Sequence, residues 1–289
     1  MLRVQNTFKN NLKTVYLIGT PIGNLKDISF RAIEILKKSD VIFCEDKRVS
    51  VNLLNHYNIT TNLRSLHKYN ELEVYNKFEE DIQLYKTISI ISDAGVPCIS
   101  DPGKYLINKI VENNLNINIT AVNAGPAYIH SLIVSGFLAN DNIFLGFLKN
   151  KNNNEEIINV VNTFDGVICF YESVHRIVDR INSLSLFLSS DTNIVIGREI
   201  TKINEQFIYG NLEEVKDYVN SENFIKKGEF CILINVNKDN LLFEINMENI
   251  EKEICVLTNK NITNKEIIKI ISKKYKINKN KVSSLVYKK

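Results

Sequence analysis

Short apolar runs that suit buried strands alternate with helical patterns over the first half of the chain, and every proline falls just after one of those runs. The runs lie at residues 15–18, 41–44, 88–91 and 117–122. Helical spacing begins at Ser29, with Phe30, Ile33, Ile35 and Leu36 on one side, and recurs over 49–56, 70–83, 104–112 and 127–135. Strands and helices in this alternation predict a mostly parallel sheet covered on both faces. Such sheets take ligands outside the carboxyl ends of their strands. The four prolines, Pro21, Pro97, Pro102 and Pro126, all lie in loops after predicted strands, beside five of the eleven glycines (Gly19, Gly23, Gly95, Gly103, Gly125). Proline fixes φ and glycine permits close backbone approach, so one rim of the sheet reads as a stiff, preorganised ligand site.

A polar break at residues 149–156 reads as a linker. Beyond it strand patterns dominate, at 167–171, 193–197, 206–209 and 229–236, with a single amphipathic helix over 174–186. This predicts a second, more antiparallel α+β half. The tail differs again. Thr263 and Glu266 have capping-box spacing, and Ile267, Ile268, Ile270, Ile271 and Tyr275 follow at helical spacing. A polar turn at 276–280 then precedes Val282, Leu285 and Val286, so the tail resembles a helix-turn-helix. The expected units are 1–148, 149–240 and 241–289. Residues 260–289 hold ten lysines and one glutamate in a chain whose net charge is only +3. A basic tail on an acidic body suits a polyanionic partner, and equally a solvated terminal helix.

Five cysteines stand singly, without zinc-ligand or disulfide spacing, and read as reduced thiols in a cytoplasmic protein. No signal-peptide pattern opens the chain and no apolar run reaches membrane-spanning length. The loop at 19–24 is neither a P-loop nor a dinucleotide fingerprint, and the four histidines are too scattered to suggest a metal site. What remains is a rim of backbone amides and carbonyls with carboxylates beside it: Glu45 and Asp46 after one strand, Asp93 and Asp101 after another. Asp93 and Asp101 also suit plain turns or caps. Glu172, Arg198 and Glu199 read equally well as an ion-pair network across the domain interface.

The segments LIGTPIGNLKDISFRA, FCEDKRVSVNLLNHY, SLHKYNE, ISDAGVPCISDPG, FLGFLKNK, FYESVHRI and REITKINEQFIYG occur in this order. Together they resemble the ribosomal RNA small subunit methyltransferase I family, of the tetrapyrrole methylase superfamily, over nearly the whole chain. The resemblance implies a two-domain α/β enzyme of tetrapyrrole-methylase type, with a mostly parallel N-terminal sheet, a mixed C-terminal sheet and a helical tail. It implies S-adenosylmethionine as cofactor, no metal, a homodimer, and 2′-O-methylation of a cytidine in the decoding region of 16S rRNA, naked or within the small ribosomal subunit. Pro21, Asp93, Ala94, Gly95, Ile99, Ala127 and Tyr171 are the cofactor-binding positions it implies. Glu45 and Asp46, then His67, are the candidate proton acceptors. Asn24, Arg48, Arg176 and Lys202 fit substrate positioning. Ala124, Ala127 and Tyr128 depart from the family's Pro-Gly-Pro-Ser-Ala pattern, and Lys47 stands where threonine is usual. The rival readings are a porphyrinoid methylase with the same cofactor, and a non-catalytic RNA-binding protein with a vestigial cleft.

Overall fold

The computed structural model describes residues 1–148, 154–237, 247–259, 262–275 and 279–287. Eleven strands are described: β1 (Arg3–Asn6), β2 (Thr14–Ile18), β3 (Val41–Cys44), β4 (Leu63–Ser65), β5 (Thr87–Ile91), β6 (Asn118–Val122), β7 (Asn142–Phe147), β8 (Gly166–Glu172), β9 (Asn193–Arg198), β10 (Gln206–Asn211) and β11 (Phe230–Val236). The helices are α1 (Phe30–Lys38), α2 (Lys47–His56), α3 (Glu71–Leu84), α4 (Lys104–Glu112), α5 (Ala127–Val134), α6 (Glu155–Val161), α7 (Ile177–Leu184), α8 (Leu212–Asn220), α9 (Met247–Asn259), α10 (Asn264–Lys274) and α11 (Lys279–Val286). None of the described helices is long and apolar enough to cross a membrane.

Strands β2 to β6 form one sheet in the order β4-β3-β5-β2-β6, and every neighbouring pair in it is parallel. The register matters for function. Ile91 pairs with both Ile18 and Cys44, Ile18 also pairs with Val122, and Cys44 pairs with Ser65. All five strands therefore end level, and the chain leaves them at Gly19, Glu45, Leu66, Ser92 and Asn123 along one rim. The second sheet is mixed, in the order β1-β10-β9-β11-β8-β7, with only β7 and β8 parallel.

Sheet membership does not follow the chain at residue 148, because β1 and β7 are strands of the second sheet. Arg3 and Gln5 on β1 tie the two sheets together. The Arg3 guanidinium donates to the carbonyls of Leu115 at 2.8 Å, of Ile110 at 3.2 Å, and of Ile117. Gln5 exchanges two hydrogen bonds with the Ile119 backbone, at 2.7 and 3.0 Å. Thr120 on β6 donates to the buried Glu205 carboxylate at 2.7 Å.

Alternation along the central strands of the second sheet builds two cores at once. Cys169, Cys231 and Leu233 join the core that reaches the first sheet, whereas Ile168, Phe170, Ile232 and Ile234 face α6, α7 and α8. Helix α5 lies between the sheets and buries His130, Ser131, Ile133 and Val134. Behind the first sheet, Ala32 and Leu36 of α1 and Leu54 of α2 cover Ile18, Ile42 and Cys44. The tail has its own small core of Ile250, Ile254, Ile267, Ile271, Tyr275, Val282 and Val286. Cys44, Cys98, Cys169 and Cys231 are buried and unbridged.

Several expectations are corrected. The helix expected over 174–186 is shorter, and it is not single: α6 and α8 flank it. Helix α8 starts directly from β10 on an Asn211–Glu214 capping box, with Gly210 just before it and no intervening loop. Helix α9 precedes the two expected tail helices, whose Thr263–Glu266 capping box is present. Of the linker expected at 149–156, residues 149–153 lie outside the described residues and Glu155 and Glu156 open α6; of the turn expected at 276–280, residues 276–278 lie outside them and Lys279 and Asn280 open α11.

Glu172, Arg198 and Glu199, which also read as one ion-pair network across the domain interface, make three sets of contacts. Glu172 is fully buried and pairs with Arg176 at 2.7 Å and with fully buried Arg180 at 3.0 Å. Glu199 pairs with Lys202, while Arg198 donates to the carbonyls of Lys227 and Asn204. Replacing Glu172 with Ala removes the buried carboxylate that both Arg176 and the fully buried Arg180 pair with. We expect a stability loss of about 3–5 kcal/mol, measured by chemical denaturation.

Candidate active site

The rim is made rigid by backbone bonds between loops from different strands. Gly19 donates to the Val122 carbonyl at 2.9 Å, and Thr20 and Gly95 exchange backbone bonds at 2.8 and 3.2 Å. Asn123, at φ +59°, donates from its side chain to the Gly19 carbonyl at 2.9 Å. Thr20 Oγ1 donates to the Ser92 carbonyl at 3.2 Å, and Ser92 Oγ to that of Gly95 at 3.0 Å. Gly19 is required by space. A Cβ there would lie 2.2 Å from the Asn123 carbonyl oxygen. Gly125, at φ +83°, faces open space, with no atom within 4 Å of where a Cβ would stand. The loops after β2, β5 and β6 thus meet as a bare backbone edge. Pro21, Asp93, Ala94 and Gly95 lie on or beside it.

The carboxylates gather next to this edge, at the ends of β3 and β5. Asp93 Oδ1 accepts from the Asp46 backbone amide at 3.1 Å, joining the two loops. Asp46 itself caps α2, accepting from the Arg48 amide at 2.8 Å, and pairs with the Arg48 guanidinium at 2.6 Å. Those hydrogen bonds from Arg48 hold its carboxyl down at about 2. Glu45 differs: burial raises its pKa, the Asp93 and Asp101 charges raise it further, and His67 opposes them. Burial also raises Asp101, against a hydrogen bond from Ser92. His67 follows β4 on the same rim. Its amide donates to Asn70 Oδ1 at 2.7 Å, and its Nδ1 is buried without a hydrogen-bond partner. Glu71 accepts from the Gly103 amide, fastening this loop to the one after β5.

On the other side of the edge, an apolar pocket of about 400 Å³ opens between α5 and the second sheet. Its lining includes Ala127, Phe147, Tyr171, Val174, Ile200 and Phe230. Tyr171 Oη accepts from the Tyr128 amide at 3.3 Å. Tyr128 stacks on Phe144 at 4.2 Å between ring centroids, and Phe144 and Phe147 both approach Tyr171, at 4.9 and 5.4 Å. Residues three apart on a regular strand face opposite ways. Here the register shifts between Phe144 and Phe147, where Gly146 takes φ +66°, and both rings meet Tyr171.

The structure thus brings Ala127 and Tyr171 into one pocket beside the rim. Ile99 lies elsewhere, in a narrow crevice with Leu132, Phe137 and Lys104. Arg176 and Lys202 flank the pocket through their pairs with the lining residues Glu172 and Glu229. Asn24 accepts from the Lys26 amide and starts a short 3-10 turn, and Arg48 is exposed and paired with Asp46. Reading the sequence for site residues missed Phe147, Ile200 and Phe230. The Phe-Leu-Gly-Phe run was the available signal, but its meaning depends on the irregular strand.

Residues 14–216 match the family model for Tetrapyrrole (Corrin/Porphyrin) Methylases. The ribosomal RNA small subunit methyltransferase I of Halalkalibacterium halodurans is 36% identical over 225 residues, covering 78% of this chain and 76% of that protein. The Bacillus subtilis protein of the same name is 35% identical over 237 residues, 81% of this chain and 80% of its own. That of Synechocystis sp. is 33% identical over 264 residues, covering 91% of this chain and 93% of the relative.

Proposed function

The chain belongs to the ribosomal RNA small subunit methyltransferase I family, within the tetrapyrrole methylases, and from that premise we propose that it methylates a cytidine 2′-hydroxyl in the decoding region of 16S rRNA. We take S-adenosylmethionine as the donor, the cytoplasm as the location and a homodimer as the working unit. The observation that carries the reading is the pairing of a bare backbone edge with an apolar, aromatic-walled pocket and a ring of carboxylates.

The residues fit the donor. Its sulfonium is cationic, in keeping with an acidic rim, and its adenosine needs an apolar, aromatic recess. Glycines at 95 and 125 keep the edge free of side chains, and Gly125 has open space before it. Tyr171, Phe147 and Ala127 would hold the adenosine end, and Pro21, Asp93, Ala94 and Gly95 the end nearer the sulfur. Bound there, S-adenosylmethionine supplies an electrophilic methyl group.

The protein's own work is alignment and proton removal. Holding a hydroxyl and an electrophile in attack geometry is worth about 7–11 kcal/mol in favourable cases. A ribose hydroxyl is a weak nucleophile, and a proton acceptor in reach adds about 10²–10⁴-fold. We assign that acceptor to Glu45. Its raised pKa makes it a better base than Asp46, whose carboxyl is committed to Arg48 and to the α2 cap. The charge of His67 opposes part of the raising. Asn24, Arg48, Arg176 and Lys202 position the substrate by hydrogen bond or phosphate contact. The lysine-rich tail adds a polyanion contact of its own, which salt screens.

The test is a map of ribose methylation on small-subunit rRNA from cells with and without this gene. One methylated cytidine is expected to disappear on deletion and to return with the wild-type gene. Unchanged methylation at every ribose contradicts the reading.

A further inference from the structure

Tyr69 stands out among the described aromatic residues, because 95% of its surface is exposed on a loop that is otherwise tied down. Leu66 donates to the Cys44 carbonyl at 2.8 Å, and Asn70 donates to the His67 carbonyl at 2.9 Å and, from its side chain, to that of Ser65 at 3.0 Å. The next residue, Glu71, is fastened to Gly103. A pinned turn thus holds a flat ring out in water, with the His67 ring at 6.3 Å between centroids as its neighbour.

Strand order says what this ring faces. Across the rim the order is β4-β3-β5-β2-β6. The bare backbone edge lies at β5, β2 and β6, Glu45 lies at the end of β3, and the Tyr69 loop follows β4 at the outer edge. Neighbouring strands are about 4.8 Å apart, so Tyr69 stands roughly a strand or two beyond Glu45, on the side away from the pocket. Exposed Lys68 beside it and exposed Lys47 on the first turn of α2 offer phosphate contacts at the border of the carboxylate cluster of Glu45, Asp46, Asp93 and Asp101, and these cations favour RNA there over a second copy of the chain.

We propose that the Tyr69 ring is a stacking platform for a nucleobase of the RNA substrate, flanking the ribose held at Glu45. The inference rests on the proposed function and names the substrate contact of the same site. Unpaired RNA bases are recognised by stacking on aromatic side chains, and any base can use such a face. The rigid turn lets the ring meet the base with little ordering on binding.

The test uses the full chain with Tyr69→Ala, Tyr69→Phe and Tyr69→Trp. The Ala variant is expected to raise KM for the RNA substrate about tenfold or more, with S-adenosylmethionine affinity unchanged, whereas Phe stays within about twofold of wild type. The sequence has no tryptophan, so Tyr69→Trp adds a single reporter whose fluorescence a stacked base quenches. Quenching by a single-stranded oligoribonucleotide is expected, and it is read whether or not the protein methylates that RNA. Quenching by the oligoribonucleotide together with unchanged ribose methylation on deletion of the gene keeps the platform and rejects the proposed function. An unchanged KM for Tyr69→Ala in an active enzyme, a Phe variant as weak as Ala, absent quenching, or a changed oligomeric state of Tyr69→Ala overturns the platform.

Discussion

Gly19→Ala is expected to weaken S-adenosylmethionine binding about tenfold to a hundredfold while the chain still folds. The added Cβ meets the Asn123 carbonyl oxygen at 2.2 Å, and that oxygen is backbone, so no rotamer change relieves the contact. Relief requires the β2 loop to part from the loop after β6. That breaks the Gly19–Val122 and Asn123–Gly19 hydrogen bonds that set the edge. Overpacking of this kind costs about 1–3 kcal/mol, and each 1.4 kcal/mol lost from binding is tenfold in affinity. Calorimetry measures the affinity, and thermal denaturation shows that the fold persists. Gly23→Ala is the control. No atom lies within 4 Å of its Cβ position, so affinity is expected to stay within about twofold.

Glu45→Gln is expected to cut turnover by about 10²–10⁴-fold with donor affinity nearly intact. The amide keeps the shape and loses the proton-accepting charge. Asp46→Asn should behave differently. Asparagine caps a helix as well as aspartate does, so α2 keeps its start and turnover stays near the wild-type value. Equal losses in both variants would return Asp46 to the chemistry. The pH profile adds a sign. A base works only when deprotonated, and burial with neighbouring carboxylates raises Glu45 above the usual glutamate value. Turnover should therefore rise with pH along an acidic limb set above that value, and the limb should vanish in Glu45→Gln.

Much of the first sheet was legible in the sequence, because parallel strands buried on both faces are continuous apolar runs. The runs at 15–18, 41–44 and 88–91 fall within β2, β3 and β5, and the expected helix at 104–112 is α4. The elements that escaped had weaker signals. β4 is three residues long and includes Arg64, β1 alternates with polar Arg3 and Gln5, and β7 is interrupted by Gly146. Missing β1 and β7 hid how the two sheets share the chain.

The site was legible as a rim, since proline and glycine after strands mark stiff turns in any parallel sheet. The pocket wall was not legible, because Phe144 and Phe147 come together through an irregularity that no periodicity predicts. The separation of Glu45 from Asp46 was equally hidden. Adjacent carboxylates look alike in a sequence, and it is the Arg48 contacts at Asp46, and burial together with the neighbouring Asp93 and Asp101 at Glu45, that give them opposite pKa shifts.

The most direct measurement is a crystal structure of the full chain with S-adenosylmethionine bound. The donor is expected along the edge formed by Gly19, Gly95 and Gly125, with its adenine in the pocket walled by Phe147 and Tyr171 and its methyl turned toward Glu45. Density at any other place, or none at saturating donor, contradicts the account.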